Sequence, residues 1–365
     1  MSNQKSTQSR MVKRNKKRKL RKRAYFILIP ILAIFISLLS YAAYLYTKAD
    51  SVFSESYQDD GRDKSDLRDQ AVDPAEDNVS VLIVGVDQSD VRNNEGSARS
   101  DTLMLATLNI EEKSVKLVSI PRDSLVYIPE VGYETKINHA HAYGGIDATI
   151  ETVENLLEIP VDYYVKVNFE AFIDVVNAVD GIEVEVPYEL YEQNSKDKED
   201  AIHLMPGEQQ LNGEEALALA RTRHYDNDIE RGKRQQEIIK SVIQKATSMN
   251  SVLKYDNIID AVGENMTTNM TFDEMKSFIQ YGTGGGSLEI DTLTLEGTDY
   301  QPTDTYYWKL NEESLEETKE LLKNHLEIDP TTAKLYENND TPSSTTSGNP
   351  GSASDSGQTN SESTY

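Results

Sequence analysis

Ala24 to Tyr46 is a run of 23 residues without a charge (AYFILIPILAIFISLLSYAAYLY). As a helix it would reach roughly 34 Å, enough to cross a hydrocarbon core with some tilt. Tyr25, Tyr41, Tyr44 and Tyr46 near its ends suit the two interfaces. Residues 1–23 hold eleven Lys and Arg and no acid, which by the positive-inside rule predicts a cytoplasmic amino terminus and an external remainder. A cleaved signal peptide is the competing reading. The run is long for its apolar region, so an uncleaved signal-anchor at 24–46 is expected.

Without the basic tail, the chain carries 26 basic against 62 acidic residues, a net of −36. Such a domain repels nucleic acid outside any local basic site, and no nucleic-acid partner is expected. The absence of cysteine excludes disulfides and thiolate metal sites, and five scattered His argue against structural zinc. The polar stretch 47–77 reads as a linker off the membrane, and the Ser/Thr/Gly-rich segment 337–365 as a disordered tail. Residues 78–336 remain for one globular domain.

Val79–Val86 is continuously apolar, as a strand buried on both faces requires. Thr102–Ile110 and Val115–Ile120, joined by four polar residues, predict a hairpin. Strands are also expected at Tyr163–Asn168, Ile182–Val186 and Ser287–Glu296. Helices are expected at Ile146–Leu157, Phe169–Val179, Gly213–Ala220, Asp228–Ser248, Tyr255–Glu264 and Thr271–Tyr281. The interleaving predicts an α/β fold: a mixed central β-sheet flanked by α-helices, preceded by one N-terminal transmembrane helix.

Against the acidic background, Arg221, Arg223, Arg231, Lys233 and Arg234 fall within one short segment. Arg221 and Arg223 share a face if extended, and Arg231, Arg234 and Gln235 share one if helical. A bound polyanion explains the concentration; a solvated charged face opening a helix is the alternative. Strand ends supply a second cluster: Asp87 after the first, Arg99 and Asp101 at the start of the second, Arg122 and Asp123 after the third. Two carboxylates and several Arg are a physical solution for a pyrophosphate, with hard oxygens holding Mg²⁺ and guanidiniums neutralising the rest. Gly144-Gly145 could expose amides at the start of the Ile146 helix. His139 and His141 are as well read as structural. Apolar stripes (Val153, Leu156, Leu157; Phe169, Phe172) are core, or the walls of a lipid crevice against the sheet.

In order along the chain, VSVLIVGVD, ARSDTLMLATLN, VKLVSIPRDS, KINHAHAYGG, DYYVKVNFEAFIDVVNAVDGIEVEVP, LMPGEQQLNGEEALALARTR and DIERGKRQQEII resemble the LytR–CpsA–Psr family of bacterial envelope proteins. They cover about residues 79–240, and the anchor topology agrees. The resemblance implies a single-pass cell-membrane phosphotransferase with an extracellular catalytic domain, in a Gram-positive-type envelope. Its donor would be a glycopolymer (wall teichoic acid or capsular polysaccharide) on undecaprenyl pyrophosphate, and its acceptor a peptidoglycan sugar hydroxyl. Carried over by motif, Asp87 and Asp101 would hold Mg²⁺ (or Mn²⁺), with one of them taking the hydroxyl proton. Arg99, Arg122, Arg221, Arg223, Arg231 and Gln235 would face the pyrophosphate, supported by Asp228 and Asn138. Asp87, Asp101 and Arg122 would be catalytic. Glu230 replaces the family's more usual Gly, and would compete for Arg231. Val179-Asp180-Gly181 departs from a usual Gly-Gly pair, a turn change. The rival expectations are a hydrolase of the same pyrophosphate and a non-catalytic envelope sensor.

Overall fold

The computed structural model describes residues 3–86, 100–222, 227–247, 265–278 and 288–328, with 259 and 263. A helix α1 (Asn3–Ser56) leads into a sheet built on β1 (Val79–Val86), β2 (Ser100–Asn109) and β3 (Ser114–Ser119), which pair antiparallel in sequence. β6 (Tyr163–Val167) adds parallel to β1, and β12 (Glu289–Thr294) parallel to β3. β11 (Met266–Thr268) closes the β6 edge antiparallel, giving the order β11-β6-β1-β2-β3-β12. The sheet is mixed, with helices on both faces.

The largely apolar run of β1 follows from this central position. Leu82, Val84 and Val86 point into one core with Ile150, Val153, Leu157 and Leu322. Val79 and Val81 point to the other, with Met104, Leu117 and Tyr163. A third cluster joins α3 (Phe169–Ala178), α4 (Gly213–Arg221) and α5 (Asp228–Thr247) to β7 (Ile182–Val186) and β10 (Gly207–Leu211). Local chemistry starts these helices: Asn168 accepts the Ala171 amide at 2.8 Å, and Asn212 with Glu215 forms a capping box before α4.

Other elements lie off the sheet. β4 (Leu125–Ile128) and β5 (Tyr133–Lys136) form one hairpin, β8 (Leu190–Glu192) and β9 (Ile202–Leu204) another, and β13 (Gly297–Tyr300) with β14 (Tyr307–Leu310) a third. α2 (His139–Leu157) begins seven residues before the expected helix and breaks at Gly144-Gly145, where Gly145 has φ of +67°. The glycine pair is therefore a kink inside α2, not the helix start. α6 (Phe272–Ser277) falls within the expected Thr271–Tyr281 helix, and α7 (Glu312–His325) was not foreseen. The expected Tyr255–Glu264 helix lies almost wholly outside the described residues.

The stretch expected to be a linker is tied down. Arg68 grips Asp162 through two nitrogens at 2.9 and 2.7 Å, and that carboxylate also accepts the Ser80 amide. Ser65 donates to Glu154 at 2.6 Å, and Gln58 donates its amide to Thr268 at 2.8 Å. Burial raises the Glu154 carboxyl above its ordinary pKa, opposed by the Ser65 hydroxyl. Composition called this segment polar; its polar groups are spent on the edge of the domain.

Leu28–Ser56 within α1 is long and apolar enough to cross a membrane. Its last turns dock on the domain. Tyr46 and Phe53 each lie 5.5 Å from the Phe272 ring, and Ser56 donates to the Gly263 carbonyl at 2.8 Å.

Candidate active site

The site begins at the ends of β1 and β2. Their register shifts between Gly85 and Val86, so that Gly85 faces Thr102 and Val86 faces Ser100. A Cβ on Gly85 would lie 2.9 Å from the Thr102 Cβ, so the close approach requires glycine. A bulge re-aims the neighbouring side chains, here at the β2 start that carries Asp101.

Asp101 accepts from Arg122 Nη1 at 2.7 Å. Arg122 lies in the turn after β3, and that turn is gripped on two sides. Asn138 donates its amide to the Arg122 carbonyl at 3.2 Å, and Trp308 donates its own to the Asp123 carbonyl at 2.8 Å. Lys136 pairs with the Asp123 carboxylate at 2.9 Å. Arg122 is thus placed by β5 and β14 as much as by β3.

α5 supplies the next members. Asn227 accepts the amides of Ile229 and Glu230, capping the helix. Asp228 pairs with Arg231 Nη1 at 2.8 Å and approaches Arg122 Nε at 3.5 Å. Asp101, Arg122, Asp228 and Arg231 therefore form one continuous string of alternating charge. Arg231 is only 4 % exposed, a depth at which a charge needs close partners and acts strongly on its neighbours. Glu230 does not compete for it: Glu230 pairs with Lys233 at 2.8 Å on the exposed face.

The end of α4 is fixed from the same helix. Gln235 donates to the Ala220 carbonyl at 3.1 Å, and Arg234 to those of Leu219 and Thr222 at 3.2 and 2.8 Å. Carbonyls left open at a helix end are satisfied this way. α5 itself is held to the sheet by Gln236, which donates to Leu117 and Leu293 carbonyls at 2.8 and 2.7 Å. Arg221, last residue of α4, donates to the Gln193 carbonyl at 3.3 Å and lies 5.2 Å over the Phe169 ring.

Behind these groups is a cavity of about 270 Å³. Ile83, Phe169, Phe172, Leu217, Ile238 and Ile239 make its walls apolar, while Asp101, Arg221, Arg231 and Gln235 share its lining. One compartment thus offers a hydrocarbon surface beside guanidinium groups, a combination suited to an amphiphile with an anionic head. The arginines are balanced by carboxylates on the same site, Asp101 and Glu192 on the cavity and Asp228 beside it.

Of the residues singled out by sequence, Asp101, Arg122, Asp228 and Arg231 come together, with Arg221 and Gln235 on the same cavity. Asn138 is buried beside the Arg122 turn, and its Oδ1 has no hydrogen-bond partner among the described residues. Asp87, Arg99 and Arg223 lie outside the described residues. Among the described residues no group of three or more His, Cys, Asp or Glu could hold a metal. Mg²⁺ commonly takes only one or two carboxylates beside water and phosphate oxygens; of the two expected here Asp101 is among the described residues, and Arg122 holds its Oδ1. His139 meets Thr135 at 3.0 Å and the Tyr143 ring edge-on, a structural setting. Val153 and Leu157 are fully buried in the core on the α2 side, so the crevice lies between the sheet and α3, α4 and α5, without α2. Sequence reasoning missed Gly85, Gln193 and Trp308; only an interrupting glycine in an apolar strand hinted at the first.

A model of the LytR_cpsA_psr family matches residues 43–324. TagT of Bacillus subtilis (strain 168), a polyisoprenyl-teichoic acid–peptidoglycan teichoic acid transferase, is 40% identical over 325 residues, covering 88% of this chain and 100% of TagT. TagV of the same organism, with the same described activity, is 38% identical over 323 residues, covering 87% and 81%. Among solved structures, TagT bound to LIIa-WTA aligns with a TM-score of 0.63 at 40% identity, over 73% of this chain and 97% of that one. YwtF (TagT) with bound octaprenyl pyrophosphate lipid aligns with a TM-score of 0.60 at 38% identity, over 74% and 98%. Fold, motifs and these similarities agree, and the chain belongs to the LytR–CpsA–Psr family.

Proposed function

We propose that this chain is a membrane-anchored phosphotransferase, moving a glycopolymer of the teichoic acid class from a polyprenyl-pyrophosphate carrier to a peptidoglycan hydroxyl. The observation that carries the reading is the string Asp101–Arg122–Asp228–Arg231 beside an apolar cavity. The relatives named above act on a polyisoprenyl-linked teichoic acid, and one solved relative holds octaprenyl pyrophosphate. Undecaprenyl is the carrier we favour, and capsular polysaccharide an alternative cargo.

The prenyl chain lies against Phe169, Phe172 and Ile239, and the pyrophosphate meets Arg122, Arg221 and Arg231. The acceptor hydroxyl attacks the phosphorus nearer the sugar. A new P–O bond forms, the bridging P–O bond breaks, and polyprenyl monophosphate leaves with the bond's electron pair. The hydroxyl proton passes to a carboxylate, Asp101 or Asp87. The guanidinium groups neutralise charge on the phosphoryl oxygens and the departing phosphate, where electrostatic stabilisation acts on the barrier. Mg²⁺ (or Mn²⁺), held by Asp101 with Asp87, would add charge neutralisation when bound. The basic residues in the first part of α1, before its apolar span, favour an external domain, where peptidoglycan lies.

The test incubates the full chain in detergent with Mg²⁺, a polyprenyl-pyrophosphate saccharide and peptidoglycan oligosaccharides, beside Arg122→Ala. Mass spectrometry should find a phosphodiester-linked adduct that the variant fails to make. Free saccharide phosphate without adduct would replace the transferase by a hydrolase. Donor binding without any turnover would leave a sensor.

A further inference from the structure

We propose that a strip of tyrosines beside the Arg122 turn is the seat of the acceptor, a peptidoglycan glycan strand. This rests on the transferase reading above and assigns a surface that reading leaves unused. Tyr127, Tyr133, Tyr143 and Tyr300 are 54, 51, 44 and 38 % exposed. Single exposed aromatics need no explanation, but a contiguous set marks an interaction surface.

Tyr127 and Tyr300 adjoin two further tyrosines, Tyr306 and Tyr307. Tyr127 and Tyr300 line one open groove of about 520 Å³ between the β4–β5 and β13–β14 hairpins, α2 and α7. The Tyr300 ring lies 6.5 Å from that of Tyr307. Lys136 Nζ stands 5.9 Å from the rings of both Tyr307 and Tyr306. Tyr133, which donates its hydroxyl to that of Tyr143 at 3.2 Å, stands on the other face of the β4–β5 hairpin and is a separate pair. Lys136 in turn holds Asp123, the residue after Arg122, and Trp308 on β14 holds the Asp123 carbonyl. The strip therefore runs from an open groove to the turn that presents Arg122.

Its chemistry selects the occupant. Tyrosine presents an apolar ring face and a hydroxyl, which suits the C–H face of a pyranose and its surrounding hydroxyls. Lys309, 5.9 Å from the Tyr300 ring, supplies an N–H donor for the N-acetyl and lactyl carbonyls of the amino sugars. Glu134 and Glu312 on the same groove accept hydrogen bonds from sugar hydroxyls or amides. A prenyl chain has a drier place in the cavity behind Phe169, and the net charge of −36 beyond residue 23 disfavours nucleic acid. A strand lying along the tyrosines brings its next hydroxyl toward Arg122 and Asp101.

The experiment uses the full chain in detergent micelles and a tetrasaccharide of alternating N-acetylglucosamine and N-acetylmuramic acid. Binding is titrated without donor, and transfer is then followed with acceptor varied at saturating donor. Tyr127→Ala and Tyr300→Ala should each raise the tetrasaccharide Kd and the acceptor KM about tenfold, the scale of one lost stacking contact. Donor KM and Tm should stay at wild-type values, and Tyr300→Phe should keep most of the affinity. Unchanged Kd and acceptor KM in both alanine variants would overturn the proposal, and the transferase reading would survive. A donor KM rising in step would overturn it as a mere folding effect. So would self-association lost in the variants while glycan binding persists. Tyrosine-dependent tetrasaccharide binding by a protein that transfers nothing would support the strip and sink the transferase.

Discussion

Removing Arg122 would leave Asp101 and Asp228 on either side of a missing cation. Arg122→Ala should lower the transfer rate by about 10²–10³-fold, the usual effect of deleting one preorganised charge donor at a phosphoryl or acyl centre. Arg122→Lys should recover only part of it, because one ammonium cannot serve Asp101 through Nη1 and Asp228 through Nε at once. Steady-state kinetics on both variants, with thermal melts to show intact folding, check this. Asp228→Ala is expected to act on stability as well, since it leaves the buried Arg231 without its 2.8 Å carboxylate. A loss of about 1–3 kcal/mol in denaturant unfolding is the expected size. These residue types were legible in sequence because cations stood out in an acidic chain. Their pairing was not, because Asp101, Arg122 and Asp228 come from three separate segments.

The elements around the cavity meet so closely that one glycine decides their spacing. A Cβ on Gly213 would lie 2.3 Å from the Ile173 carbonyl oxygen and 2.7 Å from its Cα, backbone atoms that cannot rotate away. Gly213→Ala should push α4 from α3, cost about 1–3 kcal/mol and displace Arg221 from Phe169. A melting curve with donor titration reads both effects. At the other side of the sheet, His325 on α7 is buried between the hydroxyls of Thr107 and Ser114, each at 2.8 Å. Burial, with Lys116 nearby, holds its pKa down to about 4 from the ordinary 6.5. The neutral ring is the form that folds, so this contribution is full above about pH 6.5 and lost as pH falls toward 4. His325→Asn should therefore narrow its stability gap to wild type as pH falls through that range, read by urea unfolding. Helices with strong caps, α4 and α5, were visible in sequence. The short hairpins β4–β5 and β13–β14 were not, because their strands have four residues each, too few for a period to register.

At the scale of the molecule, α1 runs from the apolar span into the domain and packs there through Tyr46, Phe53 and Phe272. Together with the Arg68–Asp162 pair, this joins the domain to its anchor by packing where a loose tether was expected. Replacing Phe53 and Phe272 by Ala should lower transfer from a long-chain donor embedded in vesicles several-fold. A short-chain soluble donor should be used as well as before. Parallel assays with the two donors decide it. What the amino-acid sequence determined by itself were the features that depend on neighbours in the chain: the uncharged span, the buried run of β1, the α/β alternation, the capped helices and the family motifs. Those signals are local because hydrophobic periodicity and capping act over a few residues. Only the tertiary structure decided that 57–77 is tied to the domain, that Arg234 and Gln235 secure the end of α4, and that Tyr127, Tyr300, Tyr306 and Tyr307 adjoin. Each depends on contacts between distant parts of the chain, where the angle of approach, not the residue type, sets which groups meet.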